Sequence, residues 1–466
     1  MSQHDTDALT MPRRPGRVFA LLAGVVMILI VAAEAVAQDQ GPPRPQRSPN
    51  MEVLSHVPLG APYTVSDIEV EQDLDRPYAY VSRMLVHGFD IIDLSDPSDA
   101  HVIYSWRIPN AELHTGRGAM DGKYFKHDAR YYYIQSLQFG QGGPNAELGA
   151  VVFDVTSLPD TSGIREVGRF TVPENPGGFH NMFAYKHSDG RPLLFATSGP
   201  GARVYDLARF LSGAADQGYI GQVPVEPVMD ALSSGYHDFF IGYHPESGQD
   251  RFYGAGGGGY YIYDVTIPES PTILATVTGV DGFNWGHTVT PSPDGRYIIG
   301  EAEWQFQPLR VFDLKPALDG ETVNIDKAIG AWHFDWRTVA HNHEVRWPYV
   351  FVSGYETGLQ VVNMIDPENP YTVGHFDTFR GPHNKGEFGD PMGPGNFTWG
   401  VYDGAFGIDV RNVDGIVVIS DMTGGFWAFR MDGFKGWNGN DWGMPNISSV
   451  QNWEDGPEKR PPGTVF

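Results

Sequence analysis

One unit recurs seven times along this chain: a glycine, an apolar run, a carboxylate or amide, a turn, then a second apolar run. It reads VHGFDIIDLSDPSDAHVIYSW from Val86 to Trp106, GGYYIYDVTIPESPTILATV from Gly258 to Val277, and TGLQVVNMIDPENPYTVGHF from Thr357 to Phe376. Further copies start at Leu148, Gly201 and Pro308, and GGFWAFRMDG from Gly424 is a degenerate last one. The starts lie about fifty to sixty-five residues apart, which implies an array of like supersecondary units. A strand pair this short cannot bury its own apolar face, so the copies must pack on one another.

Each copy is preceded by an aromatic and β-branched strand, such as ARYYYIQS from Ala129 or WPYVFVSGY from Trp347. In front of most of these lies another short strand, closed by a turn such as Ser292-Pro293-Asp294-Gly295. Proline presets φ there and glycine takes the positive-φ position. Four strands in each of seven units predict an all-β fold, a seven-bladed β-propeller of four-stranded blades. The 57 glycines and 36 prolines suit many tight turns. The runs VVFDV, IIDLSDP, YIYDVT and VVNMIDP resemble those of the LVIVD-repeat β-propellers, found mainly in secreted and surface bacterial proteins. The resemblance covers about residues 52–433 and implies fold and export; it carries almost no function.

The propeller is expected over 51–433. Before it, Arg13, Arg14 and Arg17 precede the apolar stretch Val18 to Ala33, and Ala35-Val36-Ala37 supplies small residues at cleavage spacing. Residues 1–37 therefore read as a signal peptide, the alternative being an uncleaved anchor. Residues 38–50 are polar and proline-rich, a flexible linker. Residues 434–466 leave the repeat and hold three tryptophans, a tail packed on the propeller or a docking arm. The expected location is periplasmic or extracellular, or membrane-anchored facing the periplasm. With no cysteine, disulfides and thiolate metal sites are excluded. A net charge of −25 argues against nucleic acid as a partner.

Chemistry is expected where histidine recurs once per blade. Aligned on the aromatic strands, His180 (GGFHNMF), His237 (SGYHDFF), His287 (NWGHTVT) and His341 (VAHNHEV) occupy equivalent positions opening the inner strand. Inner strands line a propeller's axis, so four imidazoles from four consecutive blades can converge. Such a set suits one divalent transition metal, Fe, Cu, Zn or Mn. The alternative is that the histidines are repeat residues that seal the channel. The metal-binding pattern is similar in architecture to the carotenoid-cleaving oxygenases, which hold iron with four histidines from four blades; the flanking sequences do not match. Ligand histidines need second acceptors, and Glu301, Glu303 and Glu344 are the candidate orienting groups or bases. Blade 7 offers Thr398 to Val401 at the histidine position, blade 1 offers Ser66-Asp67, and blade 2 has no clear match. His343 competes with His341 for the inward position.

These features predict an exported propeller acting as a binding or interaction module with a His-lined axial channel, taking a protein or small molecule at its face. The alternative is a metal-dependent oxygenase, oxidase or lyase on the four histidines. A further alternative is an extracytoplasmic accessory subunit of a membrane complex, if the N-terminal segment is retained.

Overall fold

The computed structural model describes residues 46–225, 235–336, 338–380, 402–439 and 453–454. The segment 1–37 read as a signal peptide, Thr398 to Val401, His383 and most of the C-terminal tail lie outside them. Among the described residues, no helix is long and apolar enough to cross a membrane.

The strands form seven separate four-stranded antiparallel sheets, giving a seven-bladed β-propeller. The inner strands are Ile68–Val70, Gly118–His127, Met182–Lys186, Tyr236–His244, Val289–Pro291, Asn342–Arg346 and Ala405–Arg411. They run from blade 1 to blade 7 and are joined in a ring. Ser66 Oγ donates to Ala119 O at 2.9 Å, Met182 N to Asp121 Oδ2 at 2.7 Å, and Thr288 Oγ1 to Asp238 Oδ2 at 3.3 Å. His341 Nδ1 donates to Phe406 O at 2.7 Å, and Val70 N donates to Asp409 Oδ2 at 2.8 Å, joining blade 7 to blade 1.

The aromatic strands expected from sequence are the second strands, and the repeat supplies the third and fourth. Its recurring Asp has a local cause. Asp93, Asp154, Asp264 and Asp313 each accept the backbone N–H two residues on, at 2.7–3.0 Å. These are Asx turns, which an amide makes equally well: Asn363 accepts from Ile365 N at 2.8 Å. At Ser292-Pro293-Asp294-Gly295, the Gly295 N–H donates to Ser292 O at 2.9 Å and Gly295 takes φ 65°.

Blade 7 is closed by the N-terminal strand Met51–Val57, which pairs outside Gly425–Met431. That is why the last repeat looks degenerate: its fourth strand comes from the other end of the chain, and no Asx turn is needed. The stretch expected to be linker through Asn50 is, over its final residues, bonded along blade 6. Ser48 N donates to His375 O at 3.0 Å and Asn50 Nδ2 to Val373 O at 3.0 Å. In the tail, Trp437 Nε1 donates to Trp347 O at 3.0 Å, and Trp453 is buried against Phe125.

Candidate metal centre

The four histidines meet. His180 Nε2 and His237 Nε2 are 2.8 Å apart. The ring centroids of His237 and His287 are 3.9 Å apart, and those of His287 and His341 are 4.8 Å apart. Glu303 completes the group, with Oε2 3.2 Å from His287 Nε2 and Oε1 3.8 Å from His341 Nε2. Ligand atoms of His237, His287 and Glu303 all lie within 4.8 Å of one another. Imidazole–metal bonds of about 2.0–2.1 Å hold ligand atoms roughly 3–4 Å apart, so a slight contraction would close this set on an ion.

Three of the four outward nitrogens have acceptors, while His237 Nδ1 is buried without a hydrogen bond. His341 Nδ1 donates to the Phe406 carbonyl, His287 Nδ1 is hydrogen-bonded to the Glu301 carboxylate, and His180 Nδ1 lies 3.1 Å from Gln138 Oε1. A proton held on Nδ1 by an acceptor leaves the Nε2 lone pair for a metal.

Electrostatics sharpen this. Burial first, then the charge of Arg117, holds His180 well below the usual imidazole range. His237 is pushed down likewise by burial and by His287, and His341 falls to about 3. Three imidazoles are therefore neutral at pH 7, the form that binds a cation. His287 differs: burial opposes its charge, but Glu301 and Glu303 outweigh burial and raise it to about 9. Burial pushes Glu301 up to about 7 against the pull of His287. Burial also acts on Glu303, but His287, His341 and the Tyr355 hydroxyl outweigh it and leave that carboxylate below its ordinary value.

Blade-to-blade equivalence shows how the repeat was modified here. His287 N donates to Glu301 O and His341 N to Ser353 O, so Glu301 stands where blade 6 has Ser353. Ser82, Ser136, Thr197 and Ser420 pair with the same inner-strand register in four other blades. Glu303 is then the counterpart of Tyr355, two residues further on. Both take positive φ, 37° and 43°, a conformation that non-glycine residues hold only when the surroundings over-determine it. Their side chains meet, with Tyr355 Oη donating to Glu303 Oε1 at 2.5 Å.

Of the expected residues, His180, His237, His287, His341, Glu301 and Glu303 come together. Glu344 does not join them: it bonds Arg346 at 2.7 Å and faces a separate axial cavity. His343 is buried but lies outside the group. The histidine position is held by Ser66 in blade 1, Met120 in blade 2 and Phe406 in blade 7. The last two pack with Met84, Tyr355 and Met422 in an apolar cluster. Gln138, Tyr355 and Tyr402, whose Oη donates to Glu303 O at 3.3 Å, were missed, since each reaches the centre from a different part of the chain. Tyr355 was within reach of an alignment of second-strand ends, where it falls opposite Glu303.

Fold and site together define a seven-bladed propeller with a histidine–glutamate cluster built by blades 3 to 6. No protein-family profile matches the chain, and no curated protein matches it. Among solved structures, the WD40 β-propeller domain of Doa1 is similar at 8% identity and TM-score 0.49, over 83% of this chain and 98% of that one.

Proposed function

We propose that this protein is a metal-dependent enzyme of the oxidase, oxygenase or lyase type, holding one divalent Fe, Cu, Zn or Mn ion on His180, His237, His287 and His341. The observation that carries this is the convergence of four imidazoles from four blades, with His287 and His341 beside Glu303, His180 on His237, and three outward nitrogens tied to acceptors. His180 Nε2 and His237 Nε2 face each other at 2.8 Å, a separation that suits a shared proton or a pair of ligands on one ion. Glu301 orients His287, and Glu303 serves as a fifth ligand or as the base. The Arg117 charge, felt by His180, Glu303 and Tyr355, favours an anionic substrate at the ion's open positions.

The competing reading, a metal-free interaction module, draws on the neighbours Phe306 and Trp336, both 54% exposed. Export to the periplasm or beyond, by a signal peptide over residues 1–37, and kinship with the LVIVD-repeat propellers belong to the same proposal. X-ray absorption on metal-replete protein separates the two functions. A light-atom shell with the multiple scattering of about four imidazoles supports the enzyme. A shell of oxygens alone, or a metal that washes off, supports the module.

A further inference from the structure

The axis holds a second chamber that the histidine cluster does not use. Alternate positions of a strand face the same side. One and three residues past the histidine position, the inner strands bring six carboxylates to a common cavity with about 60 Å³ of water-accessible space: Asp67, Glu69, Asp121, Asp238, Glu344 and Asp409. Two cations answer them. Lys123 Nζ lies 2.7 Å from Asp121 and 3.6 Å from Glu69, and Arg346 bonds Glu344 at 2.7 Å and Asp409 at 3.5 Å. Carboxylates outnumber the cations six to two.

Two buried groups lining this cavity point to a missing partner. Glu69 is 3% exposed, and its Oε1 accepts no hydrogen bond; Thr290 is 6% exposed, and its hydroxyl, its only polar side-chain atom, makes none. A buried polar atom left unpaired forfeits its hydration with nothing in return, so such atoms call for an occupant. Burial, reinforced by Asp409, Asp121 and Glu344, pushes Glu69 well above the ordinary carboxylate range in spite of Lys123. An added cation would relieve that.

The chemistry of the walls selects the cation. Among the described residues, the only set of three or more His, Asp or Glu with ligand atoms within 4.8 Å of one another is His237, His287 and Glu303. The six carboxylates are thus too dispersed to cage a bare Ca²⁺ or Mg²⁺, which draws its oxygens to about 2.0–2.6 Å. Blades 3 and 4 contribute phenyl rings, Phe183 and Phe240, with centroids 5.2 Å apart. Aromatic faces beside carboxylates suit an ammonium on an apolar stem. We infer that this chamber binds an organic dication of the alkyl-diamine class. One ammonium lies on Glu69 of blade 1, the other on the Thr290–Glu344 side, and the methylene stem packs on Phe183 and Phe240.

Calorimetric titration of the full chain with 1,4-diaminobutane tests this, with n-butylammonium, CaCl₂ and MgCl₂ run alongside. The expected result is one diamine per chain, bound more tightly than the monoamine and unaffected by either metal salt. Glu69→Gln should weaken it about tenfold or more, the loss of one charge-assisted contact. Thr290→Val should weaken it less, and without diamine both variants should melt no lower than the wild type and keep its metal content at the histidines. The inference is overturned by no diamine binding at millimolar concentration, by binding that both variants retain, or by Ca²⁺ or Mg²⁺ displacing the diamine. The histidine centre can fail its own test without affecting these outcomes.

Discussion

His287 lies between two carboxylates, and its proton is the one a metal must displace. Its folded value, about 9, is above the ordinary 6.5. In metal-free protein, its charge therefore contributes stability that is complete below 6.5 and lost as pH rises through 9. That share is on the order of 3 kcal/mol. Urea unfolding of metal-free protein should show falling stability between pH 7 and 10, attenuated in Glu301→Gln. Metal affinity should move the other way, rising about tenfold per pH unit up to pH 9 because binding releases this proton. Competition titration against a chromophoric chelator reads that slope, and a flat profile contradicts the assignment of His287. Glu301→Gln should also weaken metal binding about 10- to 100-fold through misorientation of His287. At this scale the four histidines were legible in the sequence, because a repeat places equivalent residues in register. Glu303 was legible only as one of three acids: its selection over Glu344 depends on a positive-φ turn that aims it at the ring. No residue-type pattern encodes that turn.

The most consequential element is the strand Met51–Val57. It supplies the fourth strand of blade 7, and Met51, 2% exposed, packs with Phe351, Phe376 and Phe429. Met51→Ala should cost about 2–5 kcal/mol, as loss of a buried side chain does, measured as a shift in urea midpoint. Deleting 51–57 should do more, exposing the edge of Gly425–Met431 and abolishing the cooperative transition. A truncated chain that unfolds like the full one would exclude this closure. The blades were legible because period-2 apolar runs and Asx turns are local signals. The closure was not, since it pairs residues nearly four hundred positions apart. For the same reason, the histidine-equivalent position of blade 7 was sought at Thr398 to Val401, whereas Phe406 holds it.

Across the whole molecule, seven near-identical blades create an axis to which each contributes one side chain per register, and function comes from breaking the sameness. Blades 3 to 6 put histidine at that position; blades 2 and 7 put Met120 and Phe406, which close one side of the cluster with apolar surface. Where five blades carry a hydroxyl on the second strand, blade 4 has Ala255 and blade 5 has Glu301. The most direct measurement is elemental analysis of protein purified without chelator and then repleted, for the wild type and His237→Ala. The account predicts about one equivalent of Fe, Cu, Zn or Mn per chain in the wild type, and its loss in the variant with the blade fold intact by circular dichroism. No retained metal in the wild type, or equal metal in His237→Ala, would contradict it.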